Sequence, residues 1–446
     1  MTQELASLTA ARAAEAIREG AITSEELVSA CLARIEAREP LIGAWAYLDR
    51  DYALEQARRA DEQRREGRPV GPLHGVPVGV KDIFETMDMP TENGTVLHAG
   101  YRPATDAKAV SLLREAGAVI LGKTVTTELA VYAPGKTRNP HDANRTPGGS
   151  SSGSAAAVAA DMVPLAIGSQ TNGSVIRPAS FCGVFGFKPT HGLISRQGML
   201  RQSRRLDHVG VFARSLEDVA LLAECLMAYD ERDPDMRLRA RPRLTQVMME
   251  EPPVAPRFAF VKTPFWEQTE EDTREGFAEL IACLQGRVEE LTLSEIFQEA
   301  VQWHRTIMEA DLARSFQLEY ERGRDRLSPQ LVEMIERGRR VLAVDYNRAV
   351  DRIQLLNEIL DDYFYQYDAF LTPAAPGEAP PGLESTGNPI FCTLWTLCGV
   401  PALCLPLLTG RHGLPIGVQL VGQYGDDARL LRTARWLERR LATAAE

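Results

Sequence analysis

The sequence predicts an α/β protein in which a mixed central sheet is surrounded by helices and interrupted by a helical insertion. Three observations predict it. Between residues 76 and 124 an apolar strand, an amphipathic helix and a second apolar strand follow one another, the order from which parallel sheets are built. From about Leu216 to Phe364 the text turns mostly helical and more charged. Strand-like runs then return at DAFLTP, VPALCLPLL and GVQLVG. The middle therefore reads as an insertion whose ends rejoin the sheet, and residues 1–446 as one domain.

The elements follow in order. The first ~65 residues read as helices. Thr23 and Ser24 can cap one through EELVSACLARIEARE, with Glu25 and Glu26 in its first turn. GPLHGVPVGVKDIF gives a turn and a short strand from Val76 to Val80. In KAVSLLREAGAVILGKT, Ala109, Leu112, Leu113 and Ala116 fit a helix. Gly117 ends it, and AVILGK is a buried strand. SAAAVAADM is helical by propensity and VPLAIGS strand-like. DARLLRTARWLERRL closes the chain as a helix.

Composition narrows the class. A net charge of −11 argues against a protein that grasps nucleic-acid backbones. No run approaches the ~20 apolar residues of a membrane helix. MTQELASLTAARAAEAIREG lacks the apolar core of a secretory leader. Seven scattered cysteines without a CxxC pair suggest buried thiols, with neither a disulfide framework nor zinc. The expected compartment is the cytoplasm.

Residues 146–180 concentrate Ser and Gly: TPGGSSSGSAAAVAADMVPLAIGSQTNGSVIRPAS. A flexible linker would read this way, but structured α/β text flanks it. A nucleophile elbow, G-x-S-x-G, is matched by Gly149-Ser150-Ser151-Ser152-Gly153 with Ser151 at its centre. That turn needs a strand directly before it. Pro140 and Pro147 in NPHDANRTP exclude a central strand. His191, His208, His304 and His412 would be its candidate bases.

The third reading joins both Gly/Ser blocks to a lysine. GVPVGVKD around Lys81, GGSSSGSAAAVAA, GSQTNGSVIRPASFCGVFGFKPTHG, SRRLDHVGVFARSLEDVALL, FLTPAAP, LCGVPALCLP and GLPIGVQLVG together resemble the amidase signature family. The resemblance covers about residues 65–225 and 368–435; residues 226–367 carry none of it. It implies an amidase signature fold and a Ser–cis-Ser–Lys triad. Ser174 would be the nucleophile, Ser150 the bridging serine and Lys81 the base. The Gly149–Ser150 peptide would be cis. The backbone N–H groups of Thr171, Asn172, Gly173 and Ser174 would form the oxyanion hole. Ser151 and Ser152 are expected as helix caps and supports for Ser150.

The chemistry asks for these residue types. Amide hydrolysis needs a nucleophile, a base that later protonates the leaving amine, and donors for the oxyanion. A free lysine, with pKa about 10.4, is neutral only about once in a thousand near pH 7.5. Lys81 must therefore be desolvated, and the apolar PVGV run before it suits that.

Two positions depart from the family pattern. Gln170 stands where most members carry Asp, and Ile176 where they carry Arg. Arg177 is the new charge, and SVIRPA resembles the malonamidase-type branch, where this arginine recognises a substrate carboxylate. Gln170 and Arg177 are thus the candidate substrate-binding residues, with Arg177 equally able to tie the loop to nearby carbonyls. Trp266, Trp303 and Tyr320 are candidates to shape the pocket, with core packing as the alternative for each.

The resemblance implies an amidase acting on small or aryl amides and on carbamates, without cofactor or metal. Its expected partner is the small-molecule amide or carbamate, with no nucleic acid and no membrane; a homodimer is allowed. The rival is the A subunit of a tRNA-dependent amidotransferase.

Overall fold

The computed structural model describes residues 2–445. One eleven-stranded sheet runs through the described residues. Its strands are β1 (Trp45–Leu48), β2 (Pro77–Lys81), β3 (Val119–Thr124), β4 (Leu165–Gln170), β5 (Phe185–Lys188), β6 (His208–Ala213), β7 (Phe258–Val261), β8 (Val288–Leu291), β9 (Ala369–Pro373), β10 (Ala402–Thr409) and β11 (Pro415–Val421). Their order across the sheet is β1-β3-β2-β4-β6-β5-β10-β11-β9-β7-β8. β2 runs parallel to both β3 and β4, and β7 parallel to β8 and β9. The remaining pairs are antiparallel. The sheet is therefore mixed, as expected.

The helices around this sheet include α1 (Ser24–Ile42), α2 (Ser152–Ala159), α3 (Ile176–Cys182), α4 (Ala300–Ser315), α5 (Pro329–Gly338) and α6 (Ile390–Cys398). α1 starts as read. Thr23 accepts from the Glu26 N–H while Glu26 accepts from the Thr23 N–H, closing a capping box. α2 packs so closely that a Cβ on Gly153 would lie 2.2 Å from the Ala44 carbonyl oxygen. Only glycine lets the helix dock there.

Five strands escaped the sequence: β1, β5, β6, β7 and β8. β1 lies in the stretch read as wholly helical, and pairs with β3. β7 and β8 lie in the middle region read as helical, and extend the same sheet. β5 and β6 lie within GVFGFKPTHG and LDHVGVFARS, stretches quoted for their motif and not as strands. All but the six-residue β6 have four residues, too few for a period of two to stand out. Six of the seven cysteines are buried and Cys283 is exposed. Among the described residues no helix is long and apolar enough to cross a membrane.

The C-terminal ends of the parallel strands β2 and β4 place Lys81 and the loop Thr171–Val175 side by side. Such strand ends are where open α/β sheets carry their sites.

Candidate active site

Lys81 is the last residue of β2 and is fully buried. Its Nζ donates to Ser150 Oγ at 2.7 Å and to Ser169 Oγ at 2.9 Å. No carboxylate lies within ion-pair distance of it among the described residues; Asp207 acts only from further away. Desolvation therefore holds its pKa well below the usual lysine range.

Ser150 follows a cis peptide bond from Gly149. The Gly149 carbonyl accepts from Arg177 Nη2 at 2.8 Å, which ties this turn to α3. Ser151 and Ser152 do not cap α2. Ser151 Oγ donates to the Ser169 carbonyl at 3.2 Å and accepts from the Ser169 N–H at 3.3 Å. Ser152 Oγ donates to the Val125 carbonyl. Both hydroxyls stitch the start of α2 to strands, because the turn leaves them facing β4 and β3 rather than their own helix.

The segment before Ser151 contains no strand, so the geometry of a nucleophile elbow is missing. Among the described residues no histidine hydrogen-bonds a serine. His208 Nδ1 donates to the Leu206 carbonyl, His412 pairs with Glu378, and His191 lies against Arg196 and the Arg204 carbonyl.

Ser174 sits on the loop between β4 and α3 and is 9% exposed. Its hydroxyl makes no hydrogen bond among the described residues, Ser150 included. The loop around it is held from outside at every turn. Gln170 Oε1 accepts from the N–H groups of Val175 and Ile176, at 2.8 and 3.0 Å, and its Nε2 donates to Thr396. The amide expected to touch substrate is thus committed to the loop. A glutamine serves where the common aspartate would, because the loop needs an acceptor and the nearby Thr396 hydroxyl takes its N–H. Thr171 Oγ1 donates to Asp207. Asn172 donates to the Tyr132 hydroxyl and accepts from Thr393 on α6.

Three successive carbonyls of this loop are bonded. Thr171 O accepts from His304 Nε2 on α4, Asn172 O from Thr396 Oγ1 on α6, and Gly173 O from the Arg177 N–H. The N–H groups of Thr171, Asn172, Gly173 and Ser174 have no acceptor among the described residues. Four consecutive free donors are the material from which an anion-binding concavity is built. A Cβ on Gly173 would meet Pro389 at 2.9 Å and Arg177 Nη1 at 3.2 Å, which explains the glycine.

Arg177 is 1% exposed. Nη2 serves Gly149 and Thr386, while Nε and Nη1 have no partner. Among the described residues no carboxylate pairs with it, and burial pulls its pKa below the usual arginine range.

A cavity of about 330 Å3 adjoins the loop, lined by Tyr132, Asn172 and Thr393 and by side chains of α4 and α5. Trp266, Trp303 and Tyr320 do not line it. Trp266 packs edge-on to Phe260, Trp303 lies under Arg352, and Tyr320 is bonded to Glu336 beneath Arg339. The sequence reading missed Ser169, Tyr132, Asp207, Thr393 and Thr396, and offered His304 only as a base for the elbow, whereas it bonds the Thr171 carbonyl. Only Ser169, one residue before Gln170, lay inside a motif already singled out for catalysis.

Residues 26–431 match the amidase family. The chain belongs to it. The A subunit of the glutamyl-tRNA(Gln) amidotransferase of Chloroflexus aggregans is 34% identical over 96% of this chain and 95% of that protein. Among solved structures, a peptide amidase from Stenotrophomonas maltophilia superposes with a TM-score of 0.85 at 28% identity, covering 98% of each chain. A chain from a structure of a vestigial protein complex, described as revealing the evolutionary origins of an s-triazine catabolic enzyme, gives 0.91 at 27%, covering 97% of this chain and 98% of that one. The amidase shares with these structures its large mixed sheet surrounded by helices, and the family and its structural neighbours make it an amide hydrolase.

Proposed function

We propose that the amidase cleaves linear amides through an acyl-enzyme on Ser174, relayed by Ser150 to Lys81. The observation that carries this is Lys81: a fully buried amine, without a paired carboxylate, 2.7 Å from the serine after the cis peptide. A neutral Lys81 accepts the Ser150 proton as Ser150 takes that of Ser174. Ser174 Oγ attacks the carbonyl carbon, and the oxyanion meets the free N–H groups of residues 171–174. The proton returns through Ser150 to the departing nitrogen, the C–N bond breaks, and water, deprotonated by the same relay, releases the acid. Small and aryl amides fit this scheme, and carbamates and esters offer the same carbonyl.

A fluorophosphonate probe tests the assignment. Mass spectrometry is expected to find the label on Ser174, and turnover of an acyl p-nitroanilide by the purified chain alone to be lost with it. A label on Ser151 would overturn the assignment. Turnover that needs added partner chains and a glutamine donor would favour an amidotransferase A subunit, the role that the Chloroflexus relative's name carries.

Arg177 favours a second reading within the same chemistry, in which the acyl group carries a carboxylate. It is a buried cation with two nitrogens that lack a partner, and no acid beside it, among the described residues. Charge-assisted hydrogen bonds contribute roughly 1.5–3 kcal/mol, so Arg177→Leu should cost about 10–100-fold in kcat/KM on carboxylated amides and far less on neutral ones. Equal losses on both, with a lowered Tm, would leave Arg177 as the clamp on Gly149 alone.

A further inference from the structure

We propose that His304 is a positioning residue for the oxyanion loop, and that the middle region thereby helps set the chemistry as well as shaping the cavity. The proposal rests on the acyl-enzyme reading above. His304 projects from α4 and is 2% exposed. Its Nε2 donates to the Thr171 carbonyl at 2.9 Å. Burial lowers its pKa to about 4, so near neutral pH the ring is uncharged and Nε2 carries its hydrogen to make this bond.

A trans peptide is planar, and its C=O and N–H point in opposite directions. The bond to Thr171 O therefore fixes which way the Asn172 N–H faces. The same logic runs along the loop. Thr396 on Asn172 O orients the Gly173 N–H, and the Arg177 N–H on Gly173 O orients the Ser174 N–H. Three locked carbonyls leave three donors turned the other way. Two of the locks come from the body of the fold, and the third is His304, 133 residues along the chain from Thr171. Asp207 holds the same residue from another side, through the Thr171 hydroxyl at 2.7 Å. A hydroxyl bond leaves the peptide plane free to turn; the carbonyl bond does not.

α4 also lines the cavity, through Val301, His304 itself, Arg305, Met308 and Glu309. A substrate that presses on this helix acts, through His304, on the peptide that presents the Asn172 N–H.

The experiment compares His304→Leu, His304→Gln and His304→Asn with the wild type. It reads kcat and KM on an acyl p-nitroanilide, the rate of fluorophosphonate labelling, and Tm. The amide nitrogen of Gln reaches the position of Nε2; that of Asn falls short. Removing an oxyanion donor outright costs about 10²–10³ in kcat, so misdirecting one should cost about 10–100-fold in the Leu and Asn variants, with KM within about threefold. The labelling rate should fall in parallel, and Gln should recover at least about tenfold over Asn. If Leu does not fold, the Gln and Asn pair decides. Equal kcat in Gln and Asn, whether both fall with Tm or neither falls, overturns the proposal. Wild-type protein whose label is absent from Ser174 would overturn the acyl-enzyme reading and this inference with it. A Ser174 label with equal variants overturns this inference alone.

Discussion

Two buried lysines end up beside each other in the sheet with opposite surroundings. Lys81 closes β2 and Lys123 lies near the end of β3, where its register partner is Val80. Successive side chains alternate between faces, so the two lysines leave the sheet on opposite sides. Both are 0% exposed. Lys123 meets the carbonyls of Phe84 and Pro90, the hydroxyls of Thr86 and Thr91, and the Asp82 carboxylate at 3.1 Å. Lys81 meets two serine hydroxyls and, among the described residues, no carboxylate. Burial pulls both pKa values down, and Asp82 pulls that of Lys123 back up. The difference teaches that burial alone does not make a base. Lys188 is as buried and has no carboxylate in ion-pair distance among the described residues, but it meets only the Pro189 and Val400 carbonyls. A base also needs a hydroxyl in reach, which among the described residues only Lys81 combines with a withheld counter-ion.

The largest effect should come from removing the unpaired lysine. Lys81→Ala is expected to lower kcat by about 10²–10⁴-fold, the usual worth of a general base, with circular dichroism unchanged. A variant that keeps its turnover would erase the functional side of the comparison.

Lys123→Met should do the reverse. Removing one partner of a buried ion pair costs about 3–5 kcal/mol, because Asp82 is left uncompensated. Tm should fall clearly, while kcat per folded molecule stays within a few fold. Loss of kcat at unchanged Tm would mean that the two lysines differ less than their surroundings suggest.

Ser169→Ala should give the smallest effect and sharpen the comparison most. The hydroxyl accepts from Lys81, and an ammonium depends on that acceptor more than a neutral amine does. Its loss should lower the Lys81 pKa further. The base is then neutral at lower pH, and the acid limb of the kcat/KM profile should move down, with only a modest fall in the plateau. A shift of that limb to higher pH would contradict the argument.

The same linkage has a sign for stability. The folded Lys81 has a pKa below its unfolded value, so the unfolded chain binds more protons in the window between them. Stability should rise with pH through that window. Lys81→Met removes this dependence, which denaturant midpoints between pH 6 and 10 would reveal as a flatter profile.

Much of the architecture was legible. The Thr23 cap, the strands around Val78 and Ile120, and the return to strands after residue 368 follow from local chemistry and period. Short strands were not, since four residues carry little pattern, and β6, with six, sits inside a block that resembles the family and was not read as a strand. In the site, residues spelled into compact motifs could be named: Lys81, Gly149, Ser150 and the loop through Ser174. Thr396 and Tyr132 could not, nor could the loop contact of His304, because each reaches the loop by folding across a long stretch of chain, and nothing in their neighbours signals it.

The sequence by itself determined that a lysine would end an apolar strand beside two glycine–serine turns. It also placed Asp82 directly after Lys81, where one-dimensional reading would pair the two. Tertiary structure decided otherwise. The alternation of the strand sends Asp82 to the opposite face, where Lys123 takes it, and the turn at Gly149–Ser150 brings a hydroxyl to Lys81 instead. Charge pairing acts over a few ångströms in space, and which groups come that close is settled by the packing of the sheet rather than by adjacency along the chain.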